Sequence, residues 1–113
     1  MDIKEILRKQ AEFDAKHASN QSWNAPITKE NVQVLEHLIV CLVGEVGEGA
    51  NIVKKVVRGD VDYDAVRPEF ASEIADAFIY LVKICNQADI NLEQEFLRKL
   101  EYNRKRFQKY ETL

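Results

Sequence analysis

Cysteine, proline, glycine and tryptophan are all scarce in this chain. Its 113 residues hold two Cys, two Pro, four Gly and one Trp. Two isolated cysteines, Cys41 and Cys85, make neither a disulfide scaffold nor a zinc site. Both lie in apolar helical patterns, as small hydrophobes of a reducing cytoplasmic protein would. A basic excess is missing too. The formal net charge is −3 and the isoelectric point about 5.4, which argues against a dedicated nucleic-acid binder. No apolar run reaches the roughly 18 residues of a membrane span. The amphipathic start, Met1-Asp2-Ile3-Lys4-Glu5, lacks the apolar centre of a signal peptide, so a cytoplasmic protein away from membranes is expected. One domain over residues 1–113 is expected. A chain this short buries only about two thirds of its unfolded surface, so further burial by oligomerisation is expected.

What is present is helical periodicity from end to end, with little β-branched alternation. A first helix is predicted from about Asp2 to Ala18, with Ile3, Ile6, Leu7, Gln10, Phe13 and Asp14 on one stripe. Residues 19–26 break the pattern and read as a loop. Thr28 suits an N-cap, with Glu30 in the first turn of a second helix that runs to about Arg58 and is ended by Gly59. Residues 60–67 read as an acidic connection. Pro68 fits the first position of a third helix reaching about Ala88. Asn91 and Gln94 have the spacing of a capping box for a fourth. The predicted fold is all-α, a bundle of four to five helices.

The second helix interrupts its own apolar stripe. At heptad spacing the stripe reads Leu38, Cys41, Glu45, Glu48 and Ile52, so two carboxylates three residues apart stand where a core wants leucine. Gly44, Gly47 and Gly49 flank them. Each costs about 1 kcal/mol of helix stability relative to alanine, and close approach of a backbone or ligand would account for them. The third helix repeats the device with Glu73 and Asp76, set among Phe70, Ile74, Phe78, Leu81 and Val82. Tyr80 lies one turn beyond Asp76 on the same face. One Glu-x-x-Glu pair usually just faces water. Two pairs that both break apolar stripes are more informative. If the helices pack together, four carboxylates converge, and like charges out of water need a counter-charge. Oxygen ligands alone favour a hard cation, Mg²⁺ or Mn²⁺. Neither helix offers the Glu-x-x-His pair of a di-iron bundle. The pair Asp14 and His17 lies outside the constellation, and His37 reads as a helix-surface residue.

The charge is unevenly spread. Asp60 to Asp76 holds six acids and one base, whereas Glu93 to Leu113 holds six bases and four acids. Lys99, Asn103 and Arg106 share one face of the fourth helix and suit phosphate oxygens, although a basic face near a helix C-terminus is also favoured by the helix dipole.

Three segments in order, Leu42-Val43-Gly44-Glu45-Val46-Gly47-Glu48, Glu73-Ile74-Ala75-Asp76-Ala77-Phe78-Ile79-Tyr80-Leu81 and Lys99-x-x-x-Asn103-x-x-Arg106-Phe107, resemble the MazG-like all-α nucleoside triphosphate pyrophosphohydrolases. The dCTP pyrophosphatase-like subgroup is the nearest in these segments. Glu48 and Glu73 are separated by 24 residues, a spacer of the order seen in that superfamily. The resemblance implies Mg²⁺ on Glu45, Glu48, Glu73 and Asp76, phosphates near Lys99, Asn103 and Arg106, and a homodimer or a homotetramer built as a dimer of dimers. It implies cleavage of a nucleoside triphosphate between its α and β phosphates, with Glu45 or Glu48 as the base, in the service of nucleotide-pool sanitation. Lys54 and Lys55 stand where the subgroup carries an aromatic residue. That departure puts cytosine preference in doubt and leaves Lys55 for a phosphate or for solvent. Trp23, with Phe13, His17 and Tyr80, is then the candidate set for the base, the alternative for Trp23 being a loop anchor packed on the bundle. Two other functions fit the same residues. One is a non-enzymatic helical module whose carboxylates pair with lysines across an oligomer interface. The other is a hydrolase of the same fold acting on a different phosphorylated nucleotide.

Overall fold

The second half of one helix organises everything packed around it. The structure, a computed structural model, describes residues 1–19 and 23–112. Residues 20–22 of the expected loop lie outside them. Helix α1 spans Ile3–Lys16, α2 Val32–Val57, α3 Tyr63–Gln87 and α4 Leu92–Arg106, followed by a single 3₁₀ turn, Gln108–Tyr110. The fold is all-α, and no strand occurs among the described residues. No helix is long and apolar enough to cross a membrane.

Local chemistry sets the helix ends. Asp2 caps α1 by accepting from Glu5 N at 2.9 Å, and Asn91 caps α4 by accepting from Gln94 N at 3.1 Å. Gly59, at φ +83°, closes α2 in a conformation that a Cβ would strain. Two expected starts move. Helix α2 begins after Asn31 and not at Thr28, because Asn31 Oδ1 accepts from Thr28 N at 2.6 Å and folds that stretch into a separate turn. Helix α3 begins five residues before Pro68. Asp62 precedes it and Asp64 occupies its first turn, where the dipole favours an acid. Much of the expected acidic connection is therefore helical. Pro68 sits in the second turn, at the cost of one backbone hydrogen bond.

Helices α2 and α3 pack along their length, α1 lies across α3, and α4 touches α1. The core is small: Leu38 and Ile52 from α2, and Val82, Ile84 and Cys85 from α3. Burial pushes the Cys85 thiol above its usual pKa range, as befits an inert packing residue. Cys41 is only half-buried and lies 3.6 Å from Nε2 of the exposed His37.

The end of α3 binds its neighbours through polar side chains. Lys83 Nζ pairs with Asp14 Oδ2 at 3.0 Å and donates to the Trp23 carbonyl at 3.0 Å. Asn86 Nδ2 donates to the Leu7 carbonyl at 2.9 Å, and Gln87 Nε2 to the Ala25 carbonyl at 2.9 Å. These contacts fix α1 and the segment from Trp23 to Ile27 against α3.

A single chain leaves much apolar surface open. Its accessible area is 8752 Å², against roughly 6,400 Å² for a compact monomer of this mass. Its radius of gyration is 17.5 Å, against about 13 Å expected. Val40, Val43, Val46 and Val57 on α2 and Phe96, Leu97 and Leu100 on α4 are all more than half exposed.

The Asp14–Lys83 pair is almost wholly buried, so removing one partner strands a charge. Asp14→Ala is expected to lower the unfolding free energy by about 3–5 kcal/mol in urea titrations. Adding Lys83→Met should recover most of the loss. A single variant within about 1 kcal/mol of wild type would show that the pair carries no such load.

Candidate metal and nucleotide site

The α2–α3 contact brings the carboxylates together. Glu45, Glu73 and Asp76 are each half-buried and can place one oxygen apiece within 4.8 Å of one another. Glu48 is exposed on the edge of this group and still acts on Glu73. The inward stripe passes through Gly49 where heptad spacing had placed Glu48. Gly49 is buried, and a Cβ on it would stand 3.5 Å from the Phe70 ring and 3.8 Å from Glu73 Cβ. Of the three flanking glycines, Gly49 alone meets a neighbour; nothing lies within 4 Å of a Cβ at Gly44 or Gly47.

Glu73 bears the strain of this arrangement. Its pKa is pushed up to about 7, first by a hydrogen bond shared with Glu45, then by burial, then by Glu48 and the two neighbouring charges. Its Oε2 is buried and has no hydrogen-bond donor among the described residues. A half-buried set of carboxylate oxygens, one of them orphaned, fits a hard divalent cation such as Mg²⁺ or Mn²⁺.

A cavity of about 370 Å³ opens beside the cluster, with Glu45 and Asp76 in its wall. Phe13, Trp23, Ile79 and Tyr80 supply its apolar and aromatic surface, and Gln10, Asp14 and Lys83 its polar groups. Burial, and then Cys41, Glu45 and Asp76, raise the pKa of the Tyr80 hydroxyl, so it stays a neutral donor. The expected base-side residues Phe13, Trp23 and Tyr80 thus share one cavity. His17 does not line it. It stacks on Phe13 at 4.2 Å between ring centroids, and its Nδ1 is 2.7 Å from the Phe13 carbonyl. Trp23 also serves as an anchor, since Lys83 Nζ lies 4.5 Å from its ring centroid as well as on its carbonyl.

The expected phosphate-side residues lie elsewhere in the chain. Lys99, Asn103 and Arg106 are exposed on α4, which packs against α1 and away from the paired carboxylate helices. Lys99 lies over the Tyr102 ring and Arg106 over the Phe107 ring, each at 4.9 Å. Among the described residues neither forms an ion pair. Lys55 is exposed in the last turn of α2. Sequence reasoning missed Lys83. Its signal was the one that marked the carboxylates, a charge inside an apolar run, here Leu81-Val82-Lys83-Ile84-Cys85.

Comparison with known proteins gives two kinds of relative. The Gene 37 protein of Mycobacterium phage L5 is 34% identical over 85 residues, which cover 68% of this chain and 72% of that protein. Human dCTP pyrophosphatase 1 is 28% identical over 109 residues, and its bovine counterpart 29% over the same length. These alignments take in 93% of this chain but only 58% and 59% of the mammalian enzymes. No family model and no solved structure matches.

Raising the pKa of Glu73 means that the native state holds its proton more tightly than the unfolded chain does. Metal-free stability from this group is full below about pH 4.5 and is lost as pH rises towards about 7. Urea unfolding between these limits should show wild type weakening with pH and Glu73→Gln following a flatter line. Parallel lines for the two proteins would contradict the assignment.

Proposed function

The chain belongs to the same family as the Gene 37 protein of Mycobacterium phage L5, and we propose that it is a metal-dependent nucleoside triphosphate pyrophosphohydrolase of the MazG-like type. The observation that carries the reading is the carboxylate cluster opening directly into an aromatic-walled cavity. The similarity to the mammalian dCTP pyrophosphatases supports the same reaction class.

Glu45, Glu73 and Asp76, with Glu48 beside them, would hold Mg²⁺ or Mn²⁺. Bound there, a divalent cation would make water more acidic and offset charge developing at phosphorus. The protein's own part is mostly positioning. Phe13, Trp23 and Tyr80 take the base, which leaves the triphosphate over the carboxylates. Glu45 or Glu48 accepts the proton of the attacking water. Attack breaks the bond between the α and β phosphates and releases a monophosphate and pyrophosphate. Removal of unwanted nucleotides from the cellular pool is a role that fits this chemistry.

Oligomerisation belongs to the same proposal. The surface in excess of a compact monomer's, roughly 2,000 Å² or more, is of the size an obligate interface buries. A homodimer, or a dimer of dimers, would cover the valine face of α2 and the apolar face of α4. It would also let α4 of one copy carry Lys99, Asn103 and Arg106 to the carboxylates of another.

With Mg²⁺, the wild type is expected to release pyrophosphate from at least one nucleoside triphosphate, with a monophosphate as the other product. Glu45→Gln and Asp76→Asn should each lower kcat by about a hundredfold or more while remaining helical. If sites are shared between copies, mixing Asp76→Asn with Arg106→Ala restores activity that neither variant has alone. Inorganic phosphate as the product, or full activity in Asp76→Asn, would overturn the reading.

A further inference from the structure

The cavity that Glu45 and Asp76 line also holds a chain of polar contacts that metal binding does not use. Lys83 is a fixed cation, held by Asp14 Oδ2 at 3.0 Å and by the Trp23 carbonyl at 3.0 Å. Asp14 is 3% exposed and, ion-paired to Lys83, can only accept hydrogen bonds. Its other oxygen, Oδ1, receives Gln10 Nε2 at 2.9 Å. That contact removes the usual ambiguity of an amide. Gln10 must turn its NH₂ group to Asp14, because turning its carbonyl there would set two acceptors against each other. Its Oε1 is then left as an acceptor with no partner among the described residues, in a side chain that lines the cavity beside Phe13 and Trp23.

We propose that the buried Asp14–Lys83 pair is a specificity device: by fixing the polarity of the Gln10 amide it makes the cavity select heteroaromatic bases that present an exocyclic amine over those that present a carbonyl at the same edge. This rests on the pyrophosphohydrolase reading and adds to it which edge of the base is read and which residues read it. Gln10 is the contact residue, and Asp14 and Lys83 are positioning residues. Phe13 and Trp23 accept any flat ring and supply affinity without choice. Choice comes from the oriented Gln10 acceptor beside the two rings. A base offering a carbonyl there leaves two acceptors facing each other in a partly desolvated pocket, which costs a tenfold or larger factor in discrimination.

The test uses two pairs of triphosphates differing only in amine for carbonyl, the cytosine and uracil nucleotides and the adenine and hypoxanthine nucleotides. Values of kcat/KM with Mg²⁺ are measured for wild type, Gln10→Met and the double variant Asp14→Asn/Lys83→Met. Wild type should favour the amine-bearing member of at least one pair by about tenfold or more. Gln10→Met should bring that ratio close to one, whatever happens to the absolute rate. The double variant removes both buried charges and frees the amide to turn, so its ratio should fall as well. A merely structural role for the pair would lower all rates together and leave the ratio intact. If the double variant does not fold, Gln10→Met decides the matter. Active wild type with no preference in either pair, or a ratio unchanged in Gln10→Met, overturns this inference and leaves the pyrophosphohydrolase reading standing. Wild type inert toward all four nucleotides overturns both.

Discussion

Repulsion between carboxylates is the constraint that the α2–α3 contact has to accommodate. Packing the two helices along their length brings ligand oxygens of Glu45, Glu73 and Asp76 within 4.8 Å of one another, in a half-buried place where water screens their charges only in part. The protein meets the conflict locally by letting Glu73 keep its proton up to about pH 7. A bound divalent cation would meet it better, by replacing that proton and satisfying the orphaned Oε2. Gly49 lies in the same contact, where a Cβ would meet Phe70 and Glu73 Cβ at ordinary van der Waals distance.

The second organising feature is the polar end of α3. Lys83, Asn86 and Gln87 reach backbone carbonyls of two separate stretches, α1 and the segment from Trp23 to Ile27, which a purely apolar face would leave free to slide. Such a buried ion pair adds little net stability over a well-packed apolar pair. What it contributes is position: it holds Trp23 and Gln10 in the lining of the cavity that Glu45 and Asp76 also line. The carboxylates Glu73 and Asp76 and the polar anchor Lys83 are thus carried by one helix.

Much of this was legible in the residues. The 3.6-residue periodicity identified the helices, and charges breaking apolar stripes identified Glu45, Glu73 and Asp76. Heptad spacing misplaced Glu48, because the contact stripe follows the true helical period from Glu45 to Gly49 and Ile52, and a glycine does not register as apolar. The early start of α3 was hidden by an acid-rich stretch ending in Pro68 that resembles a connection. Lys83 stood out as a charge inside an apolar run, but its pairing with Asp14 was out of reach, since the partners lie far apart in the chain and a lone lysine in a helix ordinarily reaches solvent. The relation of Lys99, Asn103 and Arg106 to the carboxylates was equally out of reach. A face pattern says which side of α4 they share, not which surface that side meets.

The exchange of a proton for a cation at Glu73 is the central claim, and calorimetry reads it directly. Mn²⁺ is titrated into the 113-residue chain in buffers of differing ionisation enthalpy, so that the protons displaced per ion bound can be counted. At pH 7 binding should release about half a proton, rising toward one near pH 6 and vanishing above about pH 8, with the release abolished in Glu73→Gln. Absence of binding, or binding with no proton released at any of these pH values, would contradict the account.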